Sequence, residues 1–232
     1  MSNKNTAFDN NEPLEDKKII SYITSENLNH ADAKRNPGMD FRLDKIANIS
    51  INRSAIERRC KNYGVRRSIK KDKQAAWLLK AITLIDLTTL SGDDTEARVQ
   101  RLCSKGKKPL NSSLSSILGV ESLDINVAAI CVYHDMLAAA KKNLSKSNIN
   151  LAAVSTGFPA GLSPLPLRLQ EIEYSVASGA NEIDIVISRR HVLEGNWQKL
   201  YNEVKLFREK CGDAHMKTIL ATGELGNLSN IA

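Results

Sequence analysis

From Gln74 onward the chain alternates between two hydrophobic periods. "QAAWLLKAI" reads as a helix with Trp77, Leu78 and Ala81 on one side, and it runs into "TLIDLTTL", a strand closed by "SGDD". "TEARVQRLCSK" then sets Val99, Leu102 and Cys103 at helical spacing, with acid in its first turn and lysines at its end. A variable stretch, "PLNSSLSSILGVESLD", leads to the strand "NVAAICVY", the helix "MLAAAKKNL" and a third strand, "INLAAVSTGFP". "LRLQEIEYSVASGA" is amphipathic through Leu169, Ile172 and Val176, with Gly179 as its expected C-terminal cap, and feeds the strand "NEIDIVIS". "NWQKLYNEVKLFREKCG" repeats the design with Trp197, Leu200, Tyr201, Val204 and Phe207, before the fifth strand "MKTILATGEL".

Five strands spaced by helices predict right-handed βαβ units and a parallel sheet, either doubly wound or part of a (β/α)8 barrel. The acids decide between them. Asp184 stands among Ile183, Ile185, Val186 and Ile187, where an unpaired carboxylate would lose several kcal/mol of solvation. A partner, a retained proton or a function must account for it. Period two puts Glu182, Asp184 and Val186 on one strand face and Ile183, Ile185 and Ile187 on the other; Asp86 and Thr88 likewise oppose Ile85 and Leu87. Both faces of a doubly wound sheet lie under apolar helices, whereas the mouth of a barrel accepts inward acids, so the barrel is favoured. Neither a Gly-x-Gly-x-x-Gly turn nor a Gly-x-x-x-x-Gly-Lys loop is present, which leaves a nucleotide-binding fold little support.

Charge and cysteine usage narrow the classes further. The net charge of +7 resides in Lys34–Lys73, with 13 Lys/Arg against 4 Asp/Glu. That segment carries Ile46, Ile49 and Ile56 and reads as one or two short solvated helices, not as an aromatic platform for RNA. The first residues are polar, with Asn-Pro and Pro-Gly punctuation, and are expected to be disordered. No apolar run reaches membrane-spanning length and no signal peptide is visible, so a cytosolic protein is expected. Cys60, Cys103, Cys131 and Cys211 are too scattered for a zinc knuckle or a disulfide framework and are expected as reduced thiols. His30, His134, His191 and His215 form no metal-ligand spacing, and no Ser-His-Asp set can be assembled.

The ordered series "KQAAWLLKAITLIDLTTLSGDDT", "AAICVY", "VSTGFPAG", "GANEIDIVI" and "KTILATGEL" resembles deoxyribose-phosphate aldolase of the animal type, over roughly Phe41 to Ala232. The resemblance implies a class I aldolase on a (β/α)8 barrel, without cofactor or metal. Such an enzyme cleaves 2-deoxy-D-ribose 5-phosphate to D-glyceraldehyde 3-phosphate and acetaldehyde through a lysine imine, in deoxyribonucleotide catabolism. It makes Asp184 the proton relay. Asp86 and Thr88 are expected at the substrate site, with mutual hydrogen bonding that shapes the barrel interior as the alternative; the match of Cys131 to the family's second-strand cysteine puts it near the substrate, with an inert core thiol as the alternative. Lys217 shares a strand face with Ile219 and Ala221 and is expected in a supporting role in the pocket, with a snorkelling lysine at the strand start as the alternative; Thr222 and Glu224 fall at the strand end where barrel sites form, with helix capping of a sixth unit as the alternative for both.

The same resemblance exposes a departure. The family's imine lysine lies on a sixth strand in "Lys-Thr-Ser-Thr-Gly-Lys" and a second lysine on a seventh in "Phe-Lys-Pro-Ala-Gly-Gly", and neither motif occurs here. Three units are thus expected: a disordered tail over 1–40, a basic helical extension over 41–73, and five eighths of an aldolase barrel over 74–232. A chain lacking the Schiff-base lysine is expected to be inactive, and open first and fifth strands to make it poorly stable or prone to aggregate alone. The expected partner is a small sugar phosphate, with neither membrane nor nucleic acid, and homo-oligomerisation is compatible with that role. The alternative is a non-catalytic remnant serving as an interaction module or sugar-phosphate binder.

Overall fold

The computed structural model describes residues 19–20, 23, 38–66 and 69–232. The expected N-terminal tail falls almost entirely outside these residues.

Five strands, β1 (Asp86–Thr88), β2 (Ala129–Val132), β3 (Asn150–Val154), β4 (Glu182–Val186) and β5 (His215–Ile219), pair in parallel in chain order. Strictly sequential parallel order requires a crossover between each pair. The crossovers are carried by α4 (Glu96–Lys107), α6 (Leu137–Leu144), α7 (Leu165–Ala177) and α9 (Trp197–Cys211). Thr95 and Asn196 cap α4 and α9 by accepting hydrogen bonds from the Arg98 and Lys199 amides, both at 3.3 Å. Helix α7 ends at Ser178 with Gly179 in the left-handed region just beyond it (φ 97°), the expected glycine stop. Gly106 lets α4 approach the sheet: a Cβ there would lie 2.8 Å from Ile130 Cδ1.

The two sheet faces differ in kind. Ile130, Val132, Leu151, Ala153, Ile183 and Ile185 pack outward against Val99, Leu137, Ile172 and Phe207 of the crossover helices, forming the main core. The opposite face carries the small cluster Ala129, Cys131, Ala152 and Val154, with Leu90, Tyr133 and Phe158 at its margin. Helices on one face and charged and small groups on the other are the features of a barrel wall. The sheet is curled as well: Lys217 of β5 reaches Asp86 of β1 across the concave side. The fold is the expected α/β arrangement, part of a (β/α)8 barrel.

Three details depart from the pattern reading. In α3 (Lys71–Ile82) the buried positions are Ala76 and Leu79, while Trp77 and Leu78 are 53% and 61% exposed and Ala81 is exposed too. Adjacent apolar residues define two competing stripes on that helix, and the smaller pair is the one that packs. The first strand is shorter than "TLIDLTTL" because Thr83 to Ile85 continue the turn closing α3, their amides bonding back to Lys80, Ala81 and Ile82. Two short helices, α5 (Ser112–Ile117) and α8 (Arg189–Leu193), occupy connections where no periodicity was visible.

Before the barrel, α1 (Leu43–Ala47) and α2 (Arg53–Val65) contain no buried residue. The segment leading into them rests on α9, where the Tyr201 hydroxyl donates to the Met39 carbonyl at 2.7 Å and the Phe41 ring lies 5.6 Å from that of Tyr201. Among the described residues no helix is long and apolar enough to cross a membrane.

Candidate active site

Strand parity converges on one ammonium group. Lys217, midway along β5, projects to the concave side, and Asp184 is its direct neighbour in register on β4. Its Nζ bonds to Asp86, lies 3.0 Å from Glu182 Oε2 and 3.0 Å from Asp184 Oδ1. Glu182 is held in turn by Asn150 of β3, whose Nδ2 donates to Oε1 at 2.7 Å. Cys131 of β2 donates its thiol to Asp184 Oδ2 at 3.6 Å. Four strands therefore supply the cluster around Lys217, and β3 braces it from the side. Asp184 and Glu182 side chains are largely buried, while Lys217 and Asp86 remain about one third open.

One cation serving three carboxylates sets the electrostatics. Burial pushes the Asp184 carboxyl above the usual carboxylate range; Lys217 opposes this, but shared with Asp86 and Glu182 it does not cancel it, and the Asp86 charge adds to the rise. For Lys217 burial favours the neutral amine, yet the hydrogen bonds it donates to Asp86 and Glu182 and the charge of Asp184 outweigh it and favour the ammonium. The Cys131 thiol is pushed up to about 12, first by burial and then by Asp184, so it stays a donor and not a thiolate. Such a site can exchange a proton at Asp184. It does not present a nucleophile.

Of the residues singled out in the sequence, Asp86, Asp184, Cys131 and Lys217 come together. Thr88 does not join them: it is exposed and its hydroxyl donates to the Asp86 carbonyl of its own strand at 2.9 Å. Thr222 is exposed in a short 3-10 turn beyond β5, its carbonyl accepting from the Leu225 amide. Glu224 in that turn pairs with Arg189 Nε at 2.7 Å, and Arg189 also donates to the carbonyls of Pro159 and Ala160, tying three βα loops together. The groups around Lys217 hold an ammonium, and among the described residues no set of three or more His, Cys, Asp or Glu side chains is placed to hold a metal ion.

Glu182 was given no role from sequence, although its parity with Asp184 pointed it inward. A second buried network, on the convex side, was missed altogether. Arg168 donates to Glu203 Oε2 at 2.7 Å and lies 5.2 Å over the Phe207 ring, while Ser188 contributes its amide and hydroxyl to the same carboxylate at 2.8 and 2.7 Å. The available signal was a charged residue on an apolar stripe, since Glu203 sits three residues after Leu200 and four before Phe207.

Residues 80–229 match the DeoC/LacD family aldolase. The chain is 51% identical over 196 residues to the deoxyribose-phosphate aldolase of Mus musculus and 50% identical over 198 residues to that of Homo sapiens, in each case over 84% of this chain and 62% of the relative. It thus spans about three fifths of the length of these relatives. Among solved structures, a protein provisionally assigned as a deoxyribose-phosphate aldolase from Coccidioides immitis superposes with a TM-score of 0.55 at 24% identity, covering 66% of this chain and 53% of that one. A similarly assigned protein from Toxoplasma gondii ME49 gives 0.52 at 18% identity, covering 68% and 56%. These two likenesses bear on the fold alone.

Proposed function

The chain belongs to the DeoC/LacD family of aldolases, and from that membership we propose that its concave face supplies the proton-handling half of a deoxyribose-phosphate aldolase site. The reaction is the reversible cleavage of 2-deoxy-D-ribose 5-phosphate to D-glyceraldehyde 3-phosphate and acetaldehyde through a lysine Schiff base. The observation that carries the reading is the placement of a largely buried Asp184 carboxyl 3.0 Å from a Lys217 ammonium that it shares with Asp86 and Glu182, an arrangement that raises its proton affinity. A relay must hold a proton and release it near working pH, and an ordinary carboxylate is too acidic to do so efficiently. Asp184 moves protons to and from the imine and enamine carbons, Lys217 neutralises and orients it, and Asp86 and Cys131 line the substrate side, with Thr88 and Thr222 at the mouth.

Lys217 is not the imine former in this reading. Schiff-base formation requires a free amine, and the three carboxylates around Lys217 favour the ammonium. The family's imine lysine is expected in a motif that does not occur in this sequence, and residues 1–232 tested alone are expected to show no turnover. The test joins this chain to the remaining strands of the mouse relative. The chimera is expected to cleave deoxyribose 5-phosphate, with Asp184→Asn reducing kcat by about 10²- to 10⁴-fold. The chain alone is expected to give neither turnover nor a borohydride-trapped acetaldehyde adduct at Lys217. A folded chimera without activity, or one indifferent to Asp184→Asn, would count against the assignment.

A further inference from the structure

A cavity of about 390 Å³ lies on the convex side, between the loop that precedes α7 and the helices α7, α8 and α9. It shares no residue with the Lys217 cluster. Its polar wall is basic: Arg168, Arg190 and Lys199 face it as cations, with the His191 imidazole between them, against a single acid, Glu203, which is already taken up by Arg168 and Ser188. Two of these walls are built and not surface decoration. Arg168 and His191 are 3% and 2% exposed, and Arg168 Nε and Nη1 and His191 Nδ1 are buried without a hydrogen-bond partner. Buried polar atoms without partners, the two Arg168 N–H donors above all, are rare and costly in folded proteins, which makes their presence beside a cavity a sign of a ligand.

Two further observations identify the ligand's charge and size. The thirteen-residue helix α7 begins at this cavity with Pro164 and Leu165 and has no side-chain cap, so the positive end of its dipole opens there. Leu162, 73% exposed, and Leu206 form an apolar flank beside Arg190 and Lys199. We propose that this cavity binds a small phosphomonoester, with the phosphoryl group held by Arg190, Lys199 and the start of α7, and its carbon body against Leu162 and Leu206. The site is separate from the proposed aldolase chemistry and does not depend on it.

The test uses the complete chain, isotopically labelled, titrated with glycerol 3-phosphate, inorganic phosphate and glycerol while amide resonances and binding heat are followed. Glycerol 3-phosphate is expected to bind saturably at one site and more tightly than phosphate, with neutral glycerol inert. Shifts should concentrate at Gly161–Leu165 and around Arg190, leaving Asp184 and Lys217 still. Arg190 and Lys199 are exposed, so the double variant Arg190→Gln/Lys199→Gln should keep its fold; its affinity should fall at least about tenfold, as loss of two charge-assisted contacts implies. No saturable binding, equal binding of glycerol, shifts centred on Lys217, or undiminished affinity in the folded double variant would each overturn the proposal.

Discussion

On the convex side of the sheet Glu203 is one carboxylate served by Arg168 and by both donors of Ser188; on the concave side Lys217 is one ammonium shared among Asp86, Glu182 and Asp184. Both groups draw on the stretch from β4 to β5 and both bury charge. The stoichiometry separates them. Burial alone would raise the Glu203 pKa, but its donors outnumber it and hold it below the ordinary range. At Asp184 the acceptors outnumber the donor and burial prevails. A saturated carboxylate is a structural fastener, whereas an under-served one keeps a proton within reach of chemistry.

The largest expected effect comes from breaking the saturated group. Arg168→Leu leaves Glu203 buried without its cation and should cost about 3–5 kcal/mol in urea unfolding, whereas the pair replacement Arg168→Leu/Glu203→Leu should recover much of that loss. The pH dependence follows from the same shift. Glu203 titrates lower in the folded than in the unfolded chain, so its contribution is present above about 4.5, its ordinary value, and is lost as pH falls through the folded value. His191, lowered below 6.5 mainly by burial, adds in the same sense, since its neutral form is the one the fold accommodates. Unfolding free energy should therefore drop in acid, and Glu203→Gln should flatten the lower part of that limb.

A smaller effect is expected at the under-served group. Lys217→Met leaves three carboxylates facing one another, but Asp86 is one third open to water, so screening limits the cost to about 1–2 kcal/mol at neutral pH. The loss should vanish in acid as the carboxylates protonate. If Lys217→Met destabilised as strongly as Arg168→Leu, or equally at all pH values, the contrast between the two groups would fail.

How far each group could be read from sequence also differs, for a physical reason. A strand has period two, so one acid in an apolar run fixes the direction of its neighbours; "NEIDIVIS" and "LIDLTT" aimed Asp184 and Asp86 inward before any pairing was known. What the pattern could not supply is the closure, because Lys217 and Asp86 are 131 residues apart and meet only when the sheet curls. On helices the stripe is wider and tolerates a charged residue at its margin, so periodicity alone assigns Arg168 and Glu203 no role and sets Trp77, Leu78 and Ala81 on one side without showing which stripe packs. Helices as short as α5 and α8 complete too few turns to show a period at all.

The smallest expected effect is also the one with the most diagnostic sign. A carboxylate whose folded pKa lies above its unfolded value contributes stability below the unfolded value, and that contribution is lost as pH rises through the folded value. Asp184 is such a group, so at neutral pH its ionised form costs the fold something and Asp184→Asn should remove that cost. The amide fits the contacts: its oxygen can accept from Lys217, and its nitrogen can donate weakly to the Cys131 sulfur now 3.6 Å from Oδ2. Lys217 retains Asp86 and Glu182 as partners, so no cation is stranded. The variant should match or exceed the parent chain by up to about 1 kcal/mol in urea unfolding at neutral pH, with the difference fading toward pH 4 and below, where Asp184 is protonated in both states. A destabilisation of several kcal/mol instead, of the kind expected at Arg168, would mean that Asp184 is a fastener like Glu203 and not a group kept ready to exchange a proton.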